Sequence, residues 1–366
     1  MKRVVPALLA ILLLASFAHA LPEYQVKYNQ TCALCHHNPT GGGMRTLYGA
    51  QFFSYSDLAM EAKDFAEIQE ILPQADDALQ YGFDLRGLYA LGHGYDDDEN
   101  MQTRGNEFVM MQSDIYFAYS LTDATSAVVD VSNNGIEEAF ANFSMKNGKI
   151  RVRAGKFRTT YGWGWVDHTV FARKYLDYGS DRGPGWRAYD TGVEGGLYTD
   201  RWDVTVGLTN GIPGSNGNAV SARVARRFGR NTFTATLGLS GRSDDLGGGG
   251  YSARHYGAFY GFNLGPVTFL GETNLREEVE DIQGLVATQQ LRYMIMRGIY
   301  AHGWYEYYDP DMDTESGYIW RARLGMDIIP RGYISISPMY QWAHSELNYP
   351  GSDESGQFLL QLHLWL

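Results

Sequence analysis

The sequence predicts a mainly β protein: a 16-stranded antiparallel outer-membrane β-barrel with a small α-helical segment at its N-terminal end. Three observations lead to this fold class. Glycine accounts for 43 of the 366 residues and aromatic side chains for 14%, while charged residues reach only 20%, which is typical of chains built from many strands. No stretch beyond Ala20 approaches the run of about eighteen apolar residues that marks a spanning helix. From Tyr81 onward, apolar and polar residues alternate with a period of two.

The composition excludes several other classes of protein. The apolar content of 44% excludes a disordered chain, and the glycines lack the three-residue period of a collagen. The formal net charge of −12 disfavours a nucleic-acid partner, because phosphate binding requires a basic surface. If the chain lies in a membrane, it must do so as a closed barrel, since no later segment forms a spanning helix.

The beginning of the chain has the layout of a signal peptide, which we place at residues 1–20. Lys2 and Arg3 precede the apolar run Val4–Phe17, which is shorter than the ~20 residues that a spanning helix needs. Ala18-His19-Ala20 is a small-x-small cleavage site, so the mature chain is expected to begin at Leu21. An uncleaved membrane anchor is the alternative. Cleavage at this site predicts a mature protein that leaves the cytoplasm.

The two cysteines of the chain fall within Cys32-Ala33-Leu34-Cys35-His36, the attachment pattern of c-type haem. Two thioethers anchor the vinyl groups of the porphyrin, and the following histidine then lies under the iron as its proximal ligand. A redox-active disulfide pair is the alternative, but a thioredoxin-like motif belongs to a βαβ unit that this region lacks. The spacing therefore predicts one covalent haem c, held by Cys32, Cys35 and His36.

The distal ligand of the iron is less constrained by the sequence. Met44 and Met60 are the thioether candidates, with Met44 preferred, and a thioether would raise the reduction potential. The alternative for each methionine is a core-filling role, and a histidine of the barrel could also serve. His37 adjoins the proximal ligand and cannot easily reach the opposite face of the porphyrin.

The haem segment is expected to span residues 21–80. It contains a predicted helix from about Ser56 to Leu72, in which apolar residues recur at helical spacing behind a capping serine. A segment of this size buries little core by itself, so haem and contacts with the rest of the chain must hold it. It lies at the periplasmic mouth of the barrel or plugs it.

The remainder of the chain, residues 81–366, is predicted to form a porin-like transmembrane barrel. Sixteen strands are expected near 81–91, 106–121, 124–133, 136–146, 149–157, 188–198, 201–209, 218–228, 231–241, 252–264, 266–276, 284–297, 299–308, 317–329, 332–344 and 356–366. The number is even, and nearly all of the connections alternate between tight turns and long loops, as in outer-membrane barrels. A soluble sandwich also alternates its side chains but has no reason to sort its loops by length.

The sign of the charged residues differs between the long connections and the tight turns. The long connections carry acidic clusters, and the tight turns carry bases such as Lys146, Arg230 and Arg331. An acidic outer rim concentrates cations, including a metal-ion electron donor. The alternatives are solubility or divalent-cation bridging to the outer leaflet. The long aromatic loop from Tyr161 to Trp186 either folds inward as a constriction or belongs to the aromatic girdle.

An exported chain that carries Cys32, Cys35 and His36 near its mature start and continues as a 16-strand barrel resembles the fused monohaem cytochrome–porin family. The resemblance implies an outer-membrane protein that takes electrons from extracellular ferrous iron and passes them inward. Its partners would be outer-membrane lipid, an extracellular redox donor or acceptor such as Fe(II), and a periplasmic carrier such as a soluble cytochrome, without nucleic acid. As an enzyme, it would be at most a ferrous-iron oxidase.

Two other functions remain open at this point. The chain could be a porin whose haem segment acts as a plug or sensor, or the barrel component of a multi-cytochrome conduit for electron export. No serine elbow, zinc-ligand spacing or paired carboxylates on a helix point to acid–base or nucleophilic catalysis.

Overall fold

The computed structural model describes residues 22–63, 67–68, 73–76, 78–95, 101–133, 135–167, 169–176, 189–211, 218–230, 232–245, 252–277, 283–314, 317–346 and 353–366. The signal peptide predicted at residues 1–20 lies outside these ranges. So do Trp186 and some of the acidic loop positions, namely Asp96, Asp97, Asp98, Glu99, Glu278, Glu280, Asp281 and Glu315.

Sixteen strands close into one barrel in which every strand is hydrogen-bonded to its sequence neighbours and β1 pairs with β16. In chain order, β1 to β16 are Leu79–Tyr95, Met101–Thr122, Thr125–Ser132, Gly135–Met145, Ile150–Arg158, Tyr189–Tyr198, Trp202–Thr209, Ala219–Arg230, Phe233–Asp245, Ser252–Leu264, Val267–Glu277, Gln283–Met296, Ile299–Asp309, Ile319–Arg331, Ile334–Ser345 and Asp353–Trp365. All pairings are antiparallel, and the closing pair runs from Asp84 opposite Trp365 to Gly94 opposite Ser355. The predicted 16-stranded antiparallel barrel is confirmed.

The two faces of the barrel wall differ in polarity. On β7, Val206 and Leu208 are 55% and 56% exposed, whereas Asp203 and Thr205 on the opposite face are buried. The same alternation recurs on β9, where Leu239 faces outward and Thr236 inward. Apolar side chains therefore cover the outside and polar side chains fill the inside, which is the arrangement that a lipid-embedded barrel requires.

The N-terminal segment, residues 22–63, contains two helices and a 3₁₀ turn. Helix α1 is Glu23–Tyr28, the turn is Cys32–Leu34, and helix α2, which has a wide π-type geometry, is Tyr48–Leu58. The sequence predicted a helix from about Ser56 to Leu72. The first part of that prediction is wrong, because α2 ends at Leu58 and residues 59–63 are not helical. Beyond it, Met60 N–H donates to the Ile329 carbonyl at 2.8 Å, so the chain leaves the helix to pair with the barrel. Residues 64–66 and 69–72 lie outside the described residues.

The segment lies inside the barrel at the end where the tight turns are. Glu61 N–H donates to Pro330 O at 3.1 Å, next to the β14–β15 turn, and Asn29 Nδ2 lies 3.5 Å from Gly229 O, next to the β8–β9 turn. Short turns mark the periplasmic end of an outer-membrane barrel. In the described part of the chain, no helix has both the length and the apolar character needed to cross a membrane.

A second element enters the lumen from the opposite end. The connection after β5, here called the inward loop (residues 159–167 and 169–176), contains the short helix α3, Phe171–Lys174. Phe171 N–H donates to Glu306 Oε1 at 2.7 Å, and Arg223 Nε donates to Gly162 O at 2.8 Å. Because Glu306 and Arg223 both face the lumen, the described part of the predicted aromatic loop folds inward and does not form part of the outer girdle.

Candidate cofactor cavity in the barrel lumen

Helix α1 anchors the N-terminal segment to three different strands. Glu23 Oε2 lies 3.2 Å from Arg292 Nη1 of β12, and Gln25 Nε2 donates to Asp203 Oδ2 of β7 at 3.0 Å. The Thr234 hydroxyl donates to the backbone carbonyl of Val26 at 2.5 Å. Charged and polar groups of the lumen therefore find their partners on the segment, as buried polar groups require.

The predicted haem-binding residues follow within one tight turn. Thr31 caps the 3₁₀ turn by accepting the Ala33 N–H at 3.4 Å. Cys35 N–H and His36 N–H both donate to the Cys32 carbonyl, at 3.1 and 3.0 Å. These bonds fix the backbone of the two cysteines and the histidine as one unit. The arrangement needs no element beyond the motif and its cap.

A short hairpin follows, and glycines make it possible. His36 and Arg45 are antiparallel bridge partners, and His37 N–H donates to Met44 O at 3.0 Å. Between them, Gly41, Gly42 and Gly43 have φ angles of 89°, 76° and 59°, a region that other residues enter only with strain. A Cβ on Gly42 would lie 2.7 Å from Arg158 Nη2 and 2.9 Å from Val166 Cγ2. The glycines thus turn the backbone and let the inward loop approach.

Buried side chains of the wall hold this hairpin. Asn38 Oδ1 accepts from Arg153 Nη1 at 2.9 Å, and Asn38 Nδ2 donates to Glu138 Oε1 at 3.0 Å. Arg153 also pairs with Glu194 at 2.8 Å, and Arg158 donates to the Gly41 carbonyl. Because a buried pair is costly to leave incomplete, this network strongly favours one position of the hairpin.

The motif opens onto a cavity that has about 1320 Å³ free of protein atoms, including the part that is open to solvent. Its walls come from three sources: the N-terminal segment, the inward loop and the last strand. The first supplies Cys32, Cys35 and His36, and the other two supply Trp163, Gly164 and Val166 together with His363 and Trp365. Leu34 and Tyr48, which also line it, are 39% and 44% exposed. The cavity therefore opens at the periplasmic mouth.

The chemistry of the donor set fits a covalent haem c. The two cysteines are not joined to each other, and burial raises the pKa of the Cys32 thiol and, with Cys32 adding to it, that of Cys35 to about 12. Burial, then Arg45 and Arg158, lower the pKa of His36 to about 3. A neutral imidazole is the form that ligates a metal. Hydrogen bonds with the backbone of Gly43 and Gly42 act on this pKa in the opposite direction, but Nδ1 is buried without a hydrogen-bond partner, so one ring nitrogen is available for ligation.

The two methionines predicted as distal ligands lie elsewhere. Met44 is 3% exposed and packs in a cluster with Tyr116, Phe140 and Phe157 on the wall of β2 to β5. Met60 is 41% exposed at the β12–β13 turn, where it approaches Gly298. Neither belongs to the cavity lining, and ligation by either stays a prediction. Among the described residues, no group of three or more His, Cys, Asp or Glu side chains is placed to hold a bare metal ion.

His363 and Trp365 are cavity residues that motif analysis did not single out. Both belong to β16, whose alternation turns His363 inward, but their neighbours are distant in sequence. His363 Nε2 lies 2.7 Å from Asp84 Oδ1 of β1, and Trp365 Nε1 lies 3.4 Å from Ser54 Oγ of α2. Period two could have identified the inward face, whereas no local signal could have paired these residues with the N-terminal segment.

Comparison with known proteins establishes the fold. No protein-family model matches the chain, and no curated protein matches it. Among solved structures, an anion-selective porin from Comamonas acidovorans is similar with a TM-score of 0.59 at 11% identity, over 79% of this chain and 99% of that one. OprB of Pseudomonas putida gives 0.57 at 10% identity, over 86% and 100%. The outer-membrane channel DcaP of Acinetobacter baumannii gives 0.55 at 12% identity, over 80% and 99%.

These observations define the class. A closed 16-stranded antiparallel barrel with an apolar outer face, long loops at one end and tight turns at the other is a porin-like outer-membrane protein. The chain resides in the outer membrane, and lipid surrounds its wall. The N-terminal segment of this chain occupies the periplasmic end of the lumen and presents Cys32, Cys35 and His36 to a cavity.

Proposed function

We propose that the chain is an outer-membrane electron-transfer protein, a member of the fused monohaem cytochrome–porin type, that carries one covalent haem c in the lumen cavity. Cys32 and Cys35 would form the thioether links, and His36 would be the proximal ligand. When bound, haem c would supply a one-electron iron couple inside the lumen of a barrel that crosses an insulating bilayer. The observation that carries the proposal is the presence of all three motif residues in the lining of one lumen cavity.

The residues around the cavity have separate tasks in this proposal. Arg45 lines the cavity and brings a positive charge to which a porphyrin carboxylate can pair. Trp163, whose indole donates to Gly271 O at 3.0 Å, and Val166 shield the cavity on the side of the inward loop and exclude water. Burial in this setting sets the reduction potential together with the axial ligands.

The two ends of the barrel differ in which redox partner can approach them. Exposed Leu34 and Tyr48 bring the edge of the cavity to the periplasmic mouth, where a soluble carrier such as a periplasmic cytochrome can approach. At the other end, Asp309 ends β13, and Asp311 and Asp313 lie on the long connection that follows; a rim of carboxylates attracts cations. Ferrous iron is therefore the donor class that we propose for the extracellular side, with electrons passing inward.

The test uses purified protein reconstituted in liposomes. We expect a pigment that survives a denaturing gel, a c-type absorption spectrum, and reduction of the haem when ferrous iron is added outside. The double variant Cys32→Ala/Cys35→Ala should retain the barrel, judged by heat-modifiable migration, and lose the pigment. A Met312→Leu variant, changed at an exposed methionine outside the cavity, is the matched control. A barrel without covalent haem would overturn the proposal. Haem that no external donor reduces would overturn the proposed inward direction of electron transfer.

A solute porin with a plug is the second candidate, and the similarity to porins favours it. The arginines of the lumen would then select anions. In the structure, however, Arg153, Arg227 and Arg292 are each paired with a buried carboxylate. Large solute flux that does not depend on Cys32 and Cys35 would favour the porin, whereas stable co-purification with separate multihaem cytochromes would favour a multi-protein export conduit.

A further inference from the structure

We propose that His363, on the last strand of the barrel, supplies the second axial ligand of the haem iron. The inference rests on the proposed function, since it needs the haem, but it concerns a residue some 330 positions beyond the motif. Its starting point is a juxtaposition: His36 of the N-terminal turn and His363 of β16 line the same cavity. A barrel histidine, which the sequence left open beside the preferred candidates Met44 and Met60, would then be the distal ligand.

The other side chains in the cavity lining are poorer iron ligands. Within the described residues, the lining contains no methionine, and beyond His36 it contains one further imidazole, that of His363. Its remaining aromatic hydroxyls include Tyr24 and Tyr28. Burial raises the pKa of both phenols, and a phenol that keeps its proton is a poor ligand for iron. The donor set of the cavity thus points to a second nitrogen.

A buried carboxylate holds the imidazole of His363. His363 Nε2 lies 2.7 Å from Asp84 Oδ1, with the histidine 2% and the aspartate 3% exposed. Histidines that ligate metals commonly donate one ring N–H to a carboxylate, which fixes the ring and its tautomer. Asp84 is itself held by Arg86, whose Nε is 3.3 Å from Oδ1. We assign Asp84 as a positioning residue that acts through His363.

A continuous set of contacts links the two histidines. His36 and Arg45 are bridge partners in the backbone, Arg45 Nη2 lies 3.4 Å from Asp84 Oδ2, and Asp84 contacts His363. Trp365 packs beside the His363 ring with centroids 4.8 Å apart. The wall and the N-terminal segment are therefore already joined at this place, and a ligand from β16 would join them through the iron as well.

This ligand choice has a measurable consequence. A histidine–methionine pair gives a higher potential than a pair of histidines. We therefore expect the wild-type ferric protein to be low-spin with two nitrogen ligands, without the near-infrared charge-transfer band that marks a thioether. Replacing the second nitrogen by sulfur should raise the midpoint potential.

The experiment compares purified, haem-loaded full-length variants by optical and electron paramagnetic resonance spectroscopy and by redox titration. His363→Ala should lose the low-spin signal, bind carbon monoxide when reduced, and recover the low-spin signal on addition of imidazole. His363→Met should show the thioether band and an upward shift of potential. Asp84→Asn should keep the low-spin signal but shift the potential, which a merely structural role would not do.

Three controls separate the outcomes. His302→Ala removes a buried lumen histidine of β13 that does not line the cavity, while Met44→Leu and Met60→Leu remove the thioether candidates; all three should leave the spectrum unchanged. A low-spin spectrum that persists in His363→Ala overturns the inference, as does a thioether band in the wild type, which decides the matter even where His363→Ala does not fold. Wild-type barrel without covalent haem would instead refute the proposed function.

Discussion

Trp165 Nε1 donates a hydrogen bond of 2.9 Å to Glu272 Oε2, which attaches the inward loop to β11. The same carboxylate accepts the Trp163 N–H at 2.9 Å and the Asn274 amide at 3.1 Å. A buried carboxylate that satisfies three donors is a strong local restraint. With the N-terminal segment at the periplasmic end, the loop leaves the lumen occupied from both sides.

From this we predict that the wild-type barrel conducts little current in a planar bilayer and that Glu272→Ala raises the conductance. The variant leaves donors of the two tryptophans without a partner, at about 1–3 kcal/mol for each buried group, so the inward loop should leave its place for part of the time. The measurement is the single-channel conductance and the frequency of opening.

Glu272→Gln is the matched variant, because its amide oxygen can still accept a hydrogen bond. Its conductance should lie between those of the wild type and the alanine variant. A wild-type channel with the conductance of an open porin would contradict the prediction, since neither the loop nor the segment would then close the lumen.

Gly49 allows helix α2 to approach the haem-binding motif. A Cβ at this position would lie 2.3 Å from the Cys35 carbonyl oxygen, which is backbone and cannot rotate away. We predict that Gly49→Ala destabilises the packing of the motif by about 1–3 kcal/mol, the usual cost of overpacking. The expected result is less covalent haem per barrel, measured by haem staining against protein staining on a denaturing gel.

The control for this variant is Gly87→Ala on β1, where a Cβ would have no neighbour within 4 Å. It should carry the wild-type amount of haem. Equal haem content in both variants would show that α2 does not need its close contact with Cys35 when the cofactor is attached.

Much of the fold was predictable because a barrel in lipid obeys local rules. Each strand must be apolar on the face toward lipid, as the neighbours Val206 and Thr205 show, so strands and their inward faces could be predicted from single segments. Tight turns and long loops alternate along the chain, which separated one strand from the next. The turn at Cys32–His36 is also local, since its hydrogen bonds are internal to the motif and its cap, whereas attachment of haem to it stays a prediction.

What could not be predicted depends on distant parts of the chain. Helix α2 was not predicted because its wide geometry does not follow the 3.6-residue period by which apolar residues reveal an α-helix. It ends just before Met60, whose N–H donates to the Ile329 carbonyl. The contact between Asp84 and His363 joins residues 279 positions apart. No local pattern carries such a pairing; it follows from closure of the barrel, which brings β1 beside β16.

The outward face of the barrel can be tested with a charge. Val206, in the middle of β7, is 55% exposed and by our assignment contacts lipid. We predict that Val206→Arg destabilises the barrel by about 2–4 kcal/mol, the cost of a cation near the midplane of the bilayer. The measurement is unfolding by denaturant in liposomes, followed by tryptophan fluorescence.

Asp200→Arg, in the exposed β6–β7 turn at the periplasmic end, introduces the same side chain outside the apolar layer. It should change the stability by less than about 1 kcal/mol. Similar losses in the two variants would mean that the wall of β7 is not in contact with the hydrocarbon layer.

The last prediction concerns Glu23 of α1, whose pKa burial raises above 4.5 although Arg292 and Lys27 act in the opposite direction. Because the folded state then binds a proton more tightly than the unfolded state, this group contributes stability at low pH that is lost as the pH rises through its folded pKa. Glu23→Gln imitates the protonated side chain. We therefore expect the wild type to lose stability relative to this variant as the pH rises from below 4.5 through the raised pKa of Glu23. Thermal unfolding in detergent across this range measures the difference, with Glu107→Gln, an exposed carboxylate of β2, as the control for charge. A difference between wild type and Glu23→Gln that does not change with pH would contradict the prediction, because the pair with Arg292 would then keep Glu23 ionised throughout.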